Sequence, residues 1–281
     1  NTVESVTVPA QNGYTVVSTI DLNIQKIIED NIEEYMKTTG AKKIGVIAMD
    51  PDTAEVLGMS TSYSYDPNEP MDTDALRNMK VTVTESTEAA TEDSSEEGSS
   101  EDTTDATTEE PKDPEKITYD FSSMTDDEFK KTIDDLTSDQ TYEALDAVWR
   151  NYCISDILEP GSTFKPFTIA GAIEDGVVKD GDTFYCKGYE IVADGTDPIY
   201  CHNRTGDGTL TLKQALEQSC NVALMQIAKS EGKETFSKYQ DIFNFGSQTG
   251  IDLSGEGSGL VYSEENLNPV ELATSSFGQG I

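Results

Sequence analysis

The segment Thr84–Glu110 limits most strongly what this chain can fold into. Its 27 residues include 11 acids, no Lys or Arg, and no apolar residue larger than alanine. Such a segment cannot bury enough apolar surface to offset the entropy lost on ordering, so we expect a disordered acidic insert at about 84–115. A solvated tether is its simplest role, and calcium binding is an alternative that the sequence leaves open. Any folded core must come from the sequence on either side.

The whole chain carries a formal net charge of −35, from 54 Asp and Glu against 19 Lys and Arg. Nucleic-acid binding depends on clustered cations that replace phosphate counterions, and docking on anionic lipid headgroups has the same requirement. The composition therefore argues against both kinds of partner. Small molecules, peptides and proteins remain as ligands.

The cysteines and the single histidine restrict metal and disulfide chemistry. There are four cysteines, too few for a disulfide scaffold, and no C-x-x-C pair accompanies His202. We therefore predict no metal site and no cofactor. Cys186 and Cys201 flank a predicted strand pair and could form a disulfide in an oxidising compartment, while two buried thiols are the simpler alternative.

Apolar periodicity predicts several helices and one central hairpin. Helices are predicted where apolar residues recur every three or four positions between capping residues, and the hairpin where two apolar runs flank Asp50-Pro-Asp-Thr53. The predicted helices are 21–37, 162–174, 211–229 and 235–243, with shorter ones near Met124 and Asp139, and the predicted hairpin is 44–60.

With one histidine and no G-x-S-x-G elbow, the chain lacks the pattern of Ser-His-Asp hydrolases, so lysine is favoured as the base of a catalytic serine. The pattern S-x-x-K occurs twice. Ser230 ends a predicted helix and a glycine follows it, so Lys233 is expected to point elsewhere. Ser162 follows Pro160-Gly161 and opens an apolar helix, where Lys165 shares its face because side chains three residues apart are neighbours. A buried lysine with a lowered pKa can act as a base, and helix N-terminal amides favour developing negative charge.

Ser219-Cys-Asn221 places two polar side chains inside the predicted helix 211–229, between apolar runs. Taken alone, such residues are more often helix–helix hydrogen-bonding groups than site residues. Beside Ser162 and Lys165 the balance reverses, because a hydroxyl and a carboxamide are the groups that a proton shuttle and a substrate clamp require.

Together these stretches resemble the transpeptidase domain of class B penicillin-binding proteins. Glu159–Thr168 resembles their active-serine segment, and Ser219-Cys-Asn221 resembles their second motif. The resemblance covers nearly all of 15–281 except the acidic insert, with 1–14 as a linker or the end of a preceding region. Further similar stretches are Thr19–Gln25 at the domain start, Met49–Met59 in the first hairpin, Trp149-Arg-Asn151 with Ser155-Asp156 before the serine, and Phe277-Gly-Gln-Gly280 in a later turn.

The resemblance implies an α/β fold, with helices packed on an antiparallel sheet and the serine and lysine on a central helix. It implies a peptidoglycan D,D-transpeptidase in which Ser162 attacks the D-Ala-D-Ala carbonyl of a stem peptide and Lys165 is the base. Ser219 would pass a proton to the leaving D-alanine, and Asn221 would hold the peptide amide. β-Lactams would acylate Ser162 and stall there.

Two alternatives to a transpeptidase remain open. One is a D,D-carboxypeptidase or β-lactamase-like hydrolase, in which water resolves the acyl-enzyme. The other is a β-lactam sensor or scaffold domain without turnover. In each case the resemblance places the protein at the extracytoplasmic face of the bacterial membrane, with stem peptides, β-lactams and other cell-wall synthesis proteins as partners and no nucleic acid.

The sequence departs from the family in two places. The hairpin turn has Thr53-Ala54 where the family has Thr-Gly, a small cost if that position needs a positive φ. The third motif, Lys-Thr/Ser-Gly, does not occur in 1–281, and in the family it lies beyond the Phe-Gly-Gln-Gly turn. We therefore expect a C-terminally truncated domain with an incomplete sheet that is inactive alone.

Overall fold

The structure, a computed structural model, describes residues 13–85 and 115–281. These residues divide into two compact units, one ending at Cys153 and the other beginning at Ile154. Each unit mixes helices and strands, and the described strands pair as four antiparallel two-stranded ladders. This confirms the predicted α/β fold, and the sheets of the described residues are short. None of the described helices is both long enough and apolar enough to cross a bilayer.

The first unit begins with a capped helix that packs on a hairpin. The elements of the unit are α1 (Leu22–Thr39), β1 (Gly45–Met49), β2 (Val56–Thr61), β3 (Lys80–Thr84), β4 (Lys116–Asp120), α2 (Asp126–Asp135) and α3 (Ser138–Trp149), with α4 (Tyr152–Ser155) at its boundary. Short 3-10 turns occupy Thr73–Leu76 and Phe121–Ser123.

Helix α1 starts and ends where its sequence predicts. The Asp21 carboxylate accepts from the backbone N–H of Asn23 at 2.7 Å, and Gly40 ends the helix with a φ of 66°. The helix buries Ile28 against β2, where a Cβ added to Gly58 would lie 2.8 Å from Ile28 Cδ1. Glycine in the strand therefore lets the helix pack closely on the hairpin.

The hairpin is also confirmed, with Gly45 opposite Thr61 and a bulge near its turn. Ala54, in that turn, has a φ of 61°. This is the position at which the family's usual residue is glycine. The alanine therefore adopts a left-handed conformation that costs an L-residue about 1–2 kcal/mol.

The strands β3 and β4 run into and out of the predicted acidic insert. Thr84, the first residue of that insert, pairs with Lys116 and belongs to β3. Beyond the ladder the N–H of Glu85 donates to the carbonyl oxygen of Glu115 at 2.7 Å. The rest of the predicted insert, residues 86–114, lies outside the described residues. Its two ends thus leave from adjacent positions of one ladder, which packs with α2 and α3 over a core that includes Leu76, Val83, Phe121, Phe129 and Leu145.

The second unit contains the elements that position the candidate site. They are α5 (Lys165–Glu174), β5 (Thr183–Cys186), β6 (Tyr189–Glu190), β7 (Ile199–Tyr200), β8 (Gly208–Thr211), α6 (Leu212–Glu217), α7 (Asn221–Glu231), α8 (Lys233–Ile242) and α9 (Pro269–Ser275). Helix α7 lies at the centre, in contact with α5, α8 and α9. Its side chains Val222, Leu224 and Ile227 are fully buried, and burying each contributes about 1.5–3 kcal/mol.

The prediction of one continuous helix over 211–229 is wrong. The chain forms α6 and α7 with a break at Gln218–Cys220, where Ser219 has a φ of 51°. The N–H of Cys220 donates back to the carbonyl oxygen of Ala215 at 2.9 Å, which closes α6, and Cys220 Sγ then caps the start of α7. A left-handed residue cannot continue a right-handed helix, so α6 ends at Glu217 and a separate helix begins at Asn221.

Candidate active site

Ser162 lies on a tight turn held by two glycines. Gly161 has a φ of 58°, and its N–H donates to the carbonyl oxygen of Gly278 at 2.8 Å. Gly278 has a φ of 81°, and a Cβ atom added to it would lie 2.1 Å from the Gly161 carbonyl oxygen. Only glycine permits this approach, so the Phe277–Gly280 turn packs directly against the backbone that presents Ser162. A single 3-10 turn, Gly161–Phe164, then leads into α5.

Lys165 is the first residue of α5 and is 1% exposed. Its Nζ donates to the Ser219 carbonyl oxygen at 2.6 Å, to Ser219 Oγ at 2.9 Å and to Asn221 Oδ1 at 2.7 Å. Three acceptors satisfy the three N–H groups of an ammonium. Burial lowers the pKa of Lys165 from its ordinary value, and the nearby Cys201 and Cys220 act in the opposite direction. The net shift has the direction that a lysine base requires.

Ser219 links this lysine to the candidate nucleophile. Its Oγ accepts from Lys165 Nζ and donates to Ser162 Oγ at 3.0 Å. Within the described residues no hydrogen bond joins Lys165 Nζ directly to Ser162. The hydroxyl of Ser219 therefore lies between the lysine amine and the Ser162 hydroxyl in a hydrogen-bonded series. The spacing of Ser162 and Lys165 in the sequence did not predict this placement.

Asn221 opens α7 on the other side of the lysine. Its Oδ1 accepts from Lys165, and its Nδ2 donates to the carbonyl oxygen of Tyr200 at 3.4 Å. The carboxamide is thus oriented between the lysine and strand β7. The Tyr200 carbonyl was not predicted as part of the site, because a backbone group carries no signal in the sequence.

The second S-x-x-K copy is separate from this site. Ser230 Oγ donates to the carbonyl oxygen of Gln226 at 2.9 Å, within α7, and Lys233 Nζ donates to the carbonyl oxygen of Glu264 at 3.0 Å. Each side chain is engaged with a backbone carbonyl rather than with the other. The four residues predicted for the site, Ser162, Lys165, Ser219 and Asn221, come together; Gly161 and Gly278 were not predicted, although Pro160-Gly161 before the serine is a signal of a turn.

The structure has Cys186 and Cys201 as free thiols, both buried. This agrees with the simpler of the two interpretations of the pair. Their sulfur atoms lie close to Cys220 Sγ and to a carboxylate oxygen of Asp207, all four atoms within 4.8 Å of one another. Among residues 13–85 and 115–281, these four are the one group of three or more side chains that could hold a metal ion.

The chain is similar over nearly its whole length to two curated bacterial proteins. Stage V sporulation protein D of Bacillus subtilis (strain 168) is 35% identical over 274 residues, which cover 97% of this chain and 31% of that protein. The probable peptidoglycan D,D-transpeptidase PenA of Neisseria flavescens is 24% identical over 286 residues, covering 100% of this chain and 52% of that protein. The chain thus spans about a third to a half of the length of these relatives.

A solved structure is similar in fold, and a family model gives the family of the chain. The crystal structure of Pseudomonas aeruginosa PBP2 in complex with WCK 5153 matches this chain with a TM-score of 0.61 and 21% sequence identity. The match covers 93% of this chain and 46% of the PBP2 chain. At this identity the similarity concerns the fold. A family model described as the penicillin binding protein transpeptidase domain matches residues 103–281, more than half of the chain. The chain therefore belongs to the family of penicillin-binding protein transpeptidase domains.

Proposed function

We propose that this chain carries the acyl-transfer residues of a peptidoglycan D,D-transpeptidase. The observation that carries the proposal is the hydrogen-bonded series from Lys165 through Ser219 to Ser162, at the N-terminal end of a helix. It supplies a nucleophile, a proton relay and a base whose pKa is lowered by burial. The name of PenA, a probable peptidoglycan D,D-transpeptidase, supports stem peptides ending in D-Ala-D-Ala as the substrate class.

In the first half of the proposed reaction, Ser162 Oγ attacks the carbonyl carbon of the penultimate D-alanine. Its proton passes through the hydroxyl of Ser219 to Lys165 in the neutral form, and the carbonyl oxygen becomes an oxyanion. The C–N bond of this adduct then breaks. The leaving nitrogen takes the proton back through Ser219 and departs as D-alanine, which leaves an ester on Ser162.

In the second half, the amine of a neighbouring stem peptide attacks this ester. The C–O bond to Ser162 breaks, the serine regains a proton from the attacking amine through the same relay, and a new amide cross-link remains. Asn221 would hold the peptide backbone of the donor, since its carboxamide lies beside both the lysine and strand β7. A β-lactam would acylate Ser162 by the first half alone, because its leaving nitrogen stays attached to the acyl group.

We also propose a cellular location and binding partners for the protein. The name of PenA refers to peptidoglycan, which supports the extracytoplasmic face of the cell membrane as the place of action, with stem peptides, β-lactams and other cell-wall synthesis proteins as partners. Residues 1–281 do not include a Lys-Thr/Ser-Gly motif. We expect these residues on their own to react slowly with penicillin if that motif contributes an oxyanion donor, since removing one such donor costs about 3–4 kcal/mol in an unrelated serine enzyme.

The test uses a fluorescent penicillin and the full-length protein. Ser162→Ala should abolish covalent labelling, because no other serine in the described ranges 13–85 and 115–281 is hydrogen-bonded to Lys165 through Ser219. Ser230→Ala is the matched control: it removes the serine of the other S-x-x-K copy and should leave labelling unchanged. Label that persists on Ser162→Ala, or that disappears from Ser230→Ala, would contradict the assignment.

Product analysis with a D-Ala-D-Ala peptide separates the proposed activity from its alternatives. A transpeptidase should release D-alanine and form a cross-linked product when an acceptor amine is present. Release of D-alanine without any cross-link in the presence of acceptor would indicate a carboxypeptidase. Penicillin labelling without release of D-alanine under any condition would indicate a sensor or scaffold.

A further inference from the structure

Three buried thiols and one carboxylate oxygen meet behind the second motif. The Sγ atoms of Cys186, Cys201 and Cys220 and an oxygen of Asp207 lie within 4.8 Å of one another, and the three cysteines are at most 3% exposed. Cys201 Sγ and Cys220 Sγ are 3.9 Å apart. A tetrahedral zinc ion with Zn–S bonds of about 2.3 Å separates its sulfurs by about 3.8 Å. The spacing of this pair already matches that of zinc ligands.

Asp207 is the part of the cluster that ordinary packing does not explain. Buried cysteines alone often serve as small apolar residues. The Asp207 Oδ1 atom accepts from Asn203 Nδ2 at 2.7 Å, but Oδ2 is buried and has no hydrogen-bond partner within the described ranges. Burying a carboxylate oxygen without a partner is costly. A cation among the three sulfurs would give that oxygen its partner.

The four residues come from separate segments that close backbone contacts bring together. Cys186 ends β5, Cys201 follows β7, Asp207 precedes β8 and Cys220 caps α7. A Cβ atom added to Gly206 would lie 2.5 Å from the Cys186 carbonyl oxygen. The loop before β8 and the end of β5 can therefore approach closely only because glycine stands there.

We propose that Cys186, Cys201, Asp207 and Cys220 form a closed, four-coordinate site for a zinc ion. Three sulfurs select a soft or borderline metal over Mg²⁺ or Ca²⁺, and a fourth protein ligand leaves no open position for a reacting water. The site is therefore structural. It replaces the prediction of no metal site, which rested on the lack of a C-x-x-C pair and on the single histidine.

Neighbouring polar groups are arranged as metal-bound ligands require. Asn203 Nδ2 donates to the Asp207 carboxylate at 2.7 Å, and the backbone N–H of Ala223 donates to Cys220 Sγ at 3.4 Å. Such outer hydrogen bonds orient ligands and support a thiolate.

Cys220 lies between the two polar residues of the second motif, Ser219 and Asn221. A metal bound to it would hold the left-handed turn at Ser219 in place, and with it the hydroxyl that contacts Ser162. The zinc site would thus brace the second motif without touching the substrate.

The test is a metal titration of the reduced full-length protein after treatment with a chelator. We expect one Co²⁺ per chain, with thiolate-to-cobalt charge-transfer absorption and the intense visible bands of tetrahedral cobalt, and displacement by one equivalent of Zn²⁺. Zinc at 100 times its Kd should raise the Tm by about 5–10 °C. Unfolding of the chelated protein that zinc reverses would support the site equally.

Two variants and a control make the result specific. Asp207→Asn keeps the shape of the side chain and should weaken metal binding at least tenfold. Cys201→Ala removes one of the three thiolates and should lower the charge-transfer absorption. Cys153→Ala changes a half-buried cysteine outside the cluster and should leave the titration unchanged. If Cys201→Ala does not fold, Asp207→Asn decides alone. The proposal is overturned if the folded wild-type protein gives no charge-transfer absorption with excess Co²⁺, or if Asp207→Asn binds metal as tightly as wild type.

Discussion

Glu231 makes the stability of this protein depend on pH in a direction opposite to that of most carboxylates. The residue ends α7, is 8% exposed, and neither of its carboxylate oxygens has a hydrogen-bond partner among the described residues. Burial raises the pKa of Glu231 to about 7, and the charge of Asp175 acts in the same direction. The ordinary value is 4.5, so the folded protein holds a proton that the unfolded chain has already lost between these two pH values.

The sign and size of the effect follow from this difference. The folded state binds more protons than the unfolded state between pH 4.5 and about 7, so this group's contribution to stability is greatest below the lower value and is lost as the pH rises through the upper one. A shift of about 2.5 pH units corresponds to about 3 kcal/mol at 1.36 kcal/mol per unit. Glu231→Gln stays neutral at every pH and removes the dependence.

The assay compares the free energy of unfolding of Glu231→Gln and wild type from pH 4 to pH 8.5. Relative to its value at pH 4, the difference should grow by about 3 kcal/mol in favour of the variant, or about 6–12 °C in Tm. Taking the difference cancels the titration of carboxylates common to both proteins. Glu264→Gln, an exposed glutamate of the same unit, is the control and should change by less than about 0.5 kcal/mol. A Glu231→Gln difference that is flat across the range would refute the reasoning.

Three further predictions concern the backbone. Gly278→Ala should slow acylation by penicillin more than tenfold, because its Cβ would lie 2.1 Å from the Gly161 carbonyl oxygen. Gly280→Ala is the control, since Gly280 has a similar φ but a Cβ there would lie 3.5 Å from the nearest atom. Equal acylation rates for the two variants would contradict the clash. Ala54→Gly should stabilise the protein to urea by about 0.5–1 kcal/mol, since it relieves a left-handed alanine, and a loss of stability would show that the turn is unstrained. Replacing 86–114 by an Asn-Gly turn should shift the Tm by only a few degrees, because the flanking ladder already ends with a hydrogen bond of 2.7 Å; a large drop would show that the acidic segment stabilises the fold.

Helix α1 and the central hairpin could be predicted from the sequence because their signals are local. Asp21 and Gly40 mark the ends of the helix through bonds and dihedral angles within a few residues, and the apolar face repeats along one segment. The same holds for the capping boxes of α2 and α3, in which Thr125 and Thr137 each begin the helix. In these elements, residues within one turn of each other make the capping interaction that fixes where the helix begins.

The sequence predicted which residues form the candidate site but not how they are hydrogen-bonded to one another. The i, i+3 spacing predicted that Ser162 and Lys165 lie close together, although Ser162 is on a 3-10 turn just before α5, and the resemblance pointed to Ser219 and Asn221. The break at Ser219 was missed, because apolar residues continue on both sides and the helical period gives no warning of one left-handed residue. The order of the series, with Ser219 between Lys165 and Ser162, therefore had to come from the structure.

The tertiary structure alone decided the environments of Glu231 and of the cysteine cluster. Nothing near Glu231 in the sequence marks it as buried, since the groups around it come from α5 and α8. Likewise Cys186, Cys201, Asp207 and Cys220 lack the spacing of a metal motif and meet only when two ladders and a helix cap pack together. Local sequence determines helices, turns and faces through contacts a few residues apart, whereas burial and ligand geometry depend on segments far apart in the chain, and only packing brings those together.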